Sequence, residues 1–194
     1  MRSIAVVTTF NKKGLDLYGQ RMIDSFSKQW PKEVTLYVYA EDCTPSIPSD
    51  NIILKDLHQS SPELVTFKNK WKDVPKANGD VSKDPIRSRR KDAGKGFKWD
   101  AVRFAHKVYS IFSCAEECNK DILMWMDADM YCHSPININE IYSLIPEDTD
   151  LCYVGRERKW PECGLYSINL KTRSGQQFLK EFQRVYDDAE NGIF

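Results

Sequence analysis

The sequence predicts a single α/β domain with a mostly parallel central sheet flanked by helices, and three observations carry that prediction. A β-branched run, Ile4 to Thr9, is followed by a helical pattern ending at Trp30 and by the alternating run Val34 to Ala40, so strand, helix and strand follow one another at the start of the chain. A second apolar run, Ile122 to Met126, has the unbroken character of a strand buried on both faces. The length, 194 residues, suits one domain over 1–194 with a sizeable core.

Taken in order, the first helix carries Met22, Ile23, Phe26 and Trp30 at helical spacing and is closed by Pro31. Residues 41–61 read as a connector with a short strand at Ile52 to Leu54, and Ser60-Ser61-Pro62 starts a helix through Glu63 to Trp71. Between 73 and 96 periodicity disappears and Pro, Gly, Asn, Ser and charge dominate, with Arg87, Arg89, Arg90, Lys91 and Lys95 towards the end. A stretch of that kind is a mobile solvated loop or a basic lid over a phosphorylated ligand. Phe97 to Cys118 reads as the longest helix, with Ala101, Phe104, Ala105, Val108, Ile111, Phe112 and Ala115 on its apolar face. Strands are expected at Leu151 to Gly155 and Gly164 to Leu170, and a final amphipathic helix carries Phe178, Leu179, Phe182, Val185 and Tyr186.

Composition narrows the function. A formal net charge of zero gives no reason to expect a nucleic-acid partner. The apolar stretch near the amino terminus is too short to span a bilayer, so the expected location is cytoplasmic. Six cysteines lack a C-x2-C spacing, which disfavours structural zinc. Neither G-x-G-x-x-G nor a P-loop is present.

The chemistry points to Asp127-Ala128-Asp129, where the apolar run ends. Carboxylates at i and i+2 share a side of a strand, and at its end both can reach one ion. Hard cations such as Mn2+ or Mg2+ take such oxygen ligands together with a substrate's phosphates, which suits departure of a diphosphate. Ligands of parallel sheets lie at the carboxyl ends of strands, which brings Thr8, Thr9 and Asn11 in as nucleotide contacts or as simple turn residues. Asp100 and Arg103 pair as surface neighbours or take part in the site.

Ile122 to Tyr131 resembles the D-x-D region of GT-A-fold glycosyltransferases. Phe97-Lys98-Trp99-Asp100-Ala101-Val102-Arg103-Phe104 resembles the preceding helix of glycogenin-like and bacterial galactosyltransferase-like members, and Glu162 to Leu170 is similar to their downstream glycine-to-strand segment. The resemblance implies a metal-dependent hexosyltransferase that uses a nucleotide-sugar donor, UDP-sugar favoured, and a glycan or other hydroxyl acceptor, with retention of configuration slightly favoured. It further implies that Asp129 ligates Mn2+ or Mg2+, with Asp127 on the metal or the donor ribose and Ala128 beside the donor. Thr8, Thr9 and Asn11 would meet the nucleoside, and Lys98, Asp100 and Arg103 the phosphates or sugar. Trp160 and Glu162 would line the acceptor side, with Glu162 or Asp100 as base if the reaction inverts. Members commonly supply a further ligand near the carboxyl terminus, and no His follows His133, so the expectation is either a compact variant or a chain that lacks a carboxyl-terminal segment. Two other readings stay open: a non-catalytic nucleotide- or glycan-binding module of the same fold, and a haloacid-dehalogenase-type phosphohydrolase with Asp127 as nucleophile.

Overall fold

The computed structural model describes residues 2–193. In chain order the elements are β1 (Ile4–Asn11), α1 (Lys12–Gly14), a wide helical turn at Leu15–Gly19, α2 (Gln20–Gln29), β2 (Thr35–Glu41), β3 (Ile52–Asp56), α3 (Leu57–Ser60) and α4 (Pro62–Trp71). They continue with α5 (Ala101–Glu117), β4 (Ile122–Met126), α6 (Ile138–Leu144), β5 (Leu151–Val154), β6 (Glu162–Asn169) and α7 (Arg173–Asp187). Six strands form one sheet in the order β3-β2-β1-β4-β6-β5. The first four are mutually parallel, and β6 runs antiparallel to both its neighbours.

The alternation of apolar residues along the strands builds two cores, one on each face. Ala5, Val7, Tyr37, Tyr39, Leu123 and Trp125 pack under α4, α5 and α7. Ile4, Val6, Phe10, Leu36, Val38, Met124 and Met126 pack against α2 and α6. Since the central strands are covered on both sides, β4 is apolar at every position and buried throughout.

The chain runs outward from β1 through β2 to β3, then crosses back to place β4 on the other side of β1. The crevice between the carboxyl ends of β1 and β4 is therefore a topological switch point, where open α/β sheets bind ligands. Asn11 stands at one side of it and Asp127 at the other.

The residues from 73 to 100 form a succession of tight turns gathered about Trp99. Arg87 and Arg90 lie over its ring at 5.5 and 5.2 Å. Gly79 takes a positive φ of 85°, and a Cβ there would fall 2.2 Å from the Gly96 carbonyl oxygen. Only glycine permits that approach, which closes the segment on itself. The helix expected from Phe97 begins later: Gly96–Trp99 is a tight 3-10 turn, and Asp100 caps α5 by accepting the Arg103 backbone N–H at 2.8 Å.

Candidate functional site

A cleft of about 320 Å³ opens at the switch point. Thr9 and Asn11 line it from β1, Glu41 from β2, Arg103, Phe104, His106 and Lys107 from α5, and Trp125, Asp127, Ala128 and Asp129 from the end of β4. Strand geometry stops at Met126, and the backbone turns at once, the Met130 N–H reaching the Asp127 carbonyl at 3.0 Å. That turn separates the two carboxylates in character. Asp129 is exposed and makes no hydrogen bond or ion pair among the described residues. Asp127 is held.

Asp127 Oδ1 accepts from Trp125 Nε1 at 2.6 Å and from Lys107 Nζ at 3.0 Å. The same ammonium donates to the Cys163 carbonyl at 2.5 Å and lies 4.6 Å from the Trp125 ring and 5.7 Å from the Tyr166 ring. The Asp127 backbone N–H donates to the Gly164 carbonyl at 2.8 Å, tying the turn to β6. A Cβ on Gly164 would lie 3.2 Å from Asp127 Oδ2 and 3.5 Å from Glu162 Oε1. The bare glycine thus keeps open a gap bordered by two carboxylate oxygens.

On the β2 side the Glu41 carboxylate is almost wholly buried and takes two donors, His106 and Lys68, with a second imidazole close by. His106 Nδ1 stands at 2.8 Å, Lys68 Nζ at 2.8 Å and His58 Nε2 at 3.2 Å. Burial alone would raise its pKa, but the hydrogen bonds and charges of His106 and Lys68 outweigh that and lower it to about 2. Glu41, Asp42 and His58 bring potential ligand atoms within 4.8 Å of one another. Glu41 is already engaged by Lys68, so a cation entering there would meet an ammonium.

No family model matches the chain, and no curated protein matches it in sequence. Two solved structures resemble it. The apo structure of WbbM, a bifunctional glycosyltransferase, superposes with a TM-score of 0.53 at 10% identity, over 96% of this chain and 34% of that one. The apo form of the glycosyltransferase GlyE of Streptococcus pneumoniae TIGR4 gives 0.51 at 12% identity, over 97% and 39%. The chain shares the fold of these two structures. This chain spans between a third and two-fifths of the length of those proteins.

Within that fold the residues singled out from sequence divide. Thr9, Asn11, Arg103, Ala128, Asp127 and Asp129 come together in the cleft. Thr9 donates its hydroxyl proton to the Tyr39 carbonyl at 2.7 Å, and Asn11 Oδ1 caps α1 by accepting from the Gly14 N–H at 2.9 Å. Thr8 points to the opposite face of β1 and is fully buried. Its hydroxyl has no partner among the described residues. Asp100 is outside the cleft lining, and its carboxylate is committed to the α5 cap rather than to the Arg103 side chain. Lys98 pairs with Asp92 at 3.2 Å, away from the cleft. Glu162 pairs with Arg156 at 2.9 Å and accepts from the Gly164 N–H at 3.2 Å. His133 does not join the cleft, and Trp160 is exposed. Phe104, expected in the core, is 40% exposed and faces the cleft instead.

Sequence reasoning missed Lys107, His106, Glu41 and Trp125. A signal existed for Lys107, which sits four residues after Arg103 and so on the same face of α5. Trp125 likewise shares the Asp127 side of the strand two residues earlier.

Proposed function

We propose that this domain transfers a hexose from a nucleotide-diphosphate sugar, UDP-sugar favoured, to a hydroxyl acceptor in a reaction that depends on Mn2+ or Mg2+. The observation that carries this reading is the convergence, at the switch point of a fold shared with two glycosyltransferases, of Asp127 and Asp129 with Thr9, Asn11 and Arg103.

The donor set fits a hard divalent cation. Asp129 is unengaged among the described residues, Asp127 keeps Oδ2 towards the gap over Gly164, and both offer oxygen. Asp127 and Asp129 would hold the ion, which when bound neutralises the diphosphate and acts as a Lewis acid on the leaving oxygens. The chain's own groups do the rest. Lys107 and Trp125 fix Asp127 by one oxygen, so the other keeps its direction. Arg103, with no side-chain ion pair among the described residues, offers a guanidinium to the phosphates. Thr9 and Asn11 line the end where the nucleoside would lie.

In the transfer the bond from the sugar's anomeric carbon to phosphate breaks, a new bond forms to the acceptor oxygen as its O–H bond breaks, and nucleoside diphosphate leaves, its departing phosphate oxygen taking that proton in the retaining course. Inversion requires a free base at the acceptor. Glu162 is bound to Arg156 and Asp100 to the helix cap, which supports the retaining course. Retention needs no such base.

Release of UDP from UDP-sugars in the presence of Mn2+, with loss of that release in Asp129→Ala, tests the reading. Turnover unaffected by Asp129→Ala sinks it. A second reading, a binding module without turnover, is favoured by the Lys107 ammonium that already neutralises Asp127. Saturable UDP binding with no release of sugar under any divalent ion would select it.

A further inference from the structure

We infer that the rim around the cleft mouth docks on the surface of an anionic lipid bilayer. Six large apolar side chains are more than half exposed among the described residues. Four of them lie in segments at the carboxyl end of the sheet: Leu17 (66%) just after β1, Ile86 (76%) and Phe97 (54%) in the turns before α5, and Trp160 (80%) after β5. The strand order brings these segments to one end, because β5 runs parallel to β4 and the first turn of α5 faces Asp127 across the cleft.

Positive charge gathers at the same end although the chain as a whole is neutral. Between 83 and 98 there are seven basic residues and two acidic ones. Asp84 and Asp92 are taken up by Arg87, Arg90 and Lys98. Lys83, Arg89, Lys91 and Lys95 are exposed and carry no ion pair among the described residues. Exposed cations interspersed with protruding aliphatic and aromatic side chains are what an anionic interface selects: the charges meet lipid headgroups and the apolar tips enter the acyl boundary. Among the described residues no helix is long and apolar enough to cross a membrane, and the contact inferred here is made by surface side chains.

Single-stranded nucleic acid would need uncovered rings on which bases stack. Trp99, the ring within the basic segment, is covered by Arg87 and Arg90 and donates its Nε1 proton to the Asp92 carbonyl. The bilayer therefore matches these side chains better. Such docking turns the cleft mouth towards the membrane, so the acceptor hydroxyl would be carried at the lipid surface. That corollary rests on the transferase reading; the docking itself does not.

Co-sedimentation of the chain with vesicles of phosphatidylcholine alone and of phosphatidylcholine with phosphatidylglycerol tests the inference without any sugar donor. The expected result is binding to the anionic vesicles alone, weakened by added salt. It should fall by about ten-fold when Lys83, Arg89, Lys91 and Lys95 are changed to Gln, and again when Ile86, Phe97 and Trp160 are changed to Ser. Circular dichroism melts establish that each variant is folded, and the dependence on lipid and salt in the unaltered chain stands even where one is not. Absence of binding to anionic vesicles overturns the inference. So does binding that the Ser variants leave unchanged while single-stranded DNA binds equally well, since that outcome is electrostatics without insertion.

Discussion

Lys107 Nζ stands 3.0 Å from Asp127 Oδ1 and 2.5 Å from the Cys163 carbonyl oxygen, so one ammonium joins the middle of α5, the turn after β4 and the start of β6. Trp125 Nε1 reaches the same Asp127 oxygen at 2.6 Å. With Oδ1 doubly held, the free direction of the carboxylate is set by Oδ2.

Lys107→Met should keep the aliphatic packing between Trp125 and Tyr166 and remove the charge. Because Asp127 is more than a third exposed, screening limits the loss of stability to about 1 kcal/mol. Turnover should fall further, by about ten-fold or more, with a larger effect on kcat than on the KM for the donor. Urea denaturation and steady-state kinetics on one preparation check both. A variant with unaltered kcat would show that Asp127 needs no anchor.

Gly164→Ala should act on the metal rather than on the fold. The added methyl would stand 3.2 Å from Asp127 Oδ2, and the held Oδ1 leaves that oxygen little room to retreat. Stability is expected to change by less than about 1 kcal/mol, while the Mn2+ concentration needed for half-maximal turnover rises several-fold. Titration of turnover with Mn2+ reads this directly.

Glu41 should make stability depend on acid pH. Its carboxyl falls from an ordinary 4.5 to about 2 because the His106 and Lys68 bonds overcome burial. A depressed carboxyl stabilises the fold above its unfolded pKa, and that contribution is lost as pH drops through the folded value. The loss therefore falls between about pH 4.5 and pH 2 and amounts to about 3 kcal/mol. Glu41→Gln should destabilise the protein at neutral pH and flatten that part of the curve. Urea midpoints measured across the range would reveal a curve of unchanged slope if the attribution fails.

Thr8→Val should raise stability by about 1 kcal/mol, since it removes a buried hydroxyl that has no partner among the described residues. Turnover should be unchanged. Thr9→Val, one residue along, should instead break the bond to the Tyr39 carbonyl and alter donor affinity. A thermal melt and a donor KM for each variant separate the two faces of β1.

The inner strands β1 and β4 were legible because burial on both faces leaves a contiguous apolar run; β2 was read from its alternation, and the half-exposed β3, β5 and β6 from shorter runs near where they stand. The aspartate pair was legible because it ends the most buried of them. Thr8 and Thr9 could have been parted in advance, since neighbours on a strand face opposite sides. Lys98 and Asp100 were drawn into local bonds, with Asp92 and with a helix cap, that compete with any ligand. The bonds between Glu41, Lys68 and His106, and between Lys107 and Cys163, join residues far apart in the chain. No periodicity announces such pairs; they exist only once the sheet has brought α4 and α5 to the ends of its strands.

The concentration of Arg103, His106 and Lys107 on one helix has an implication for how the domain tolerates change in length. A single residue inserted between Lys107 and Val108 would leave the packed face of α5 in register below it and swing the upper turn by about 100°. The phosphate-facing guanidinium, the clasp on Glu41 and the anchor of Asp127 would be dislodged in one step. Substitutions can weaken that wall of the cleft piecemeal, whereas an indel there removes it whole, so lineages carrying this arrangement should vary in length in their turns and not in the upper half of α5.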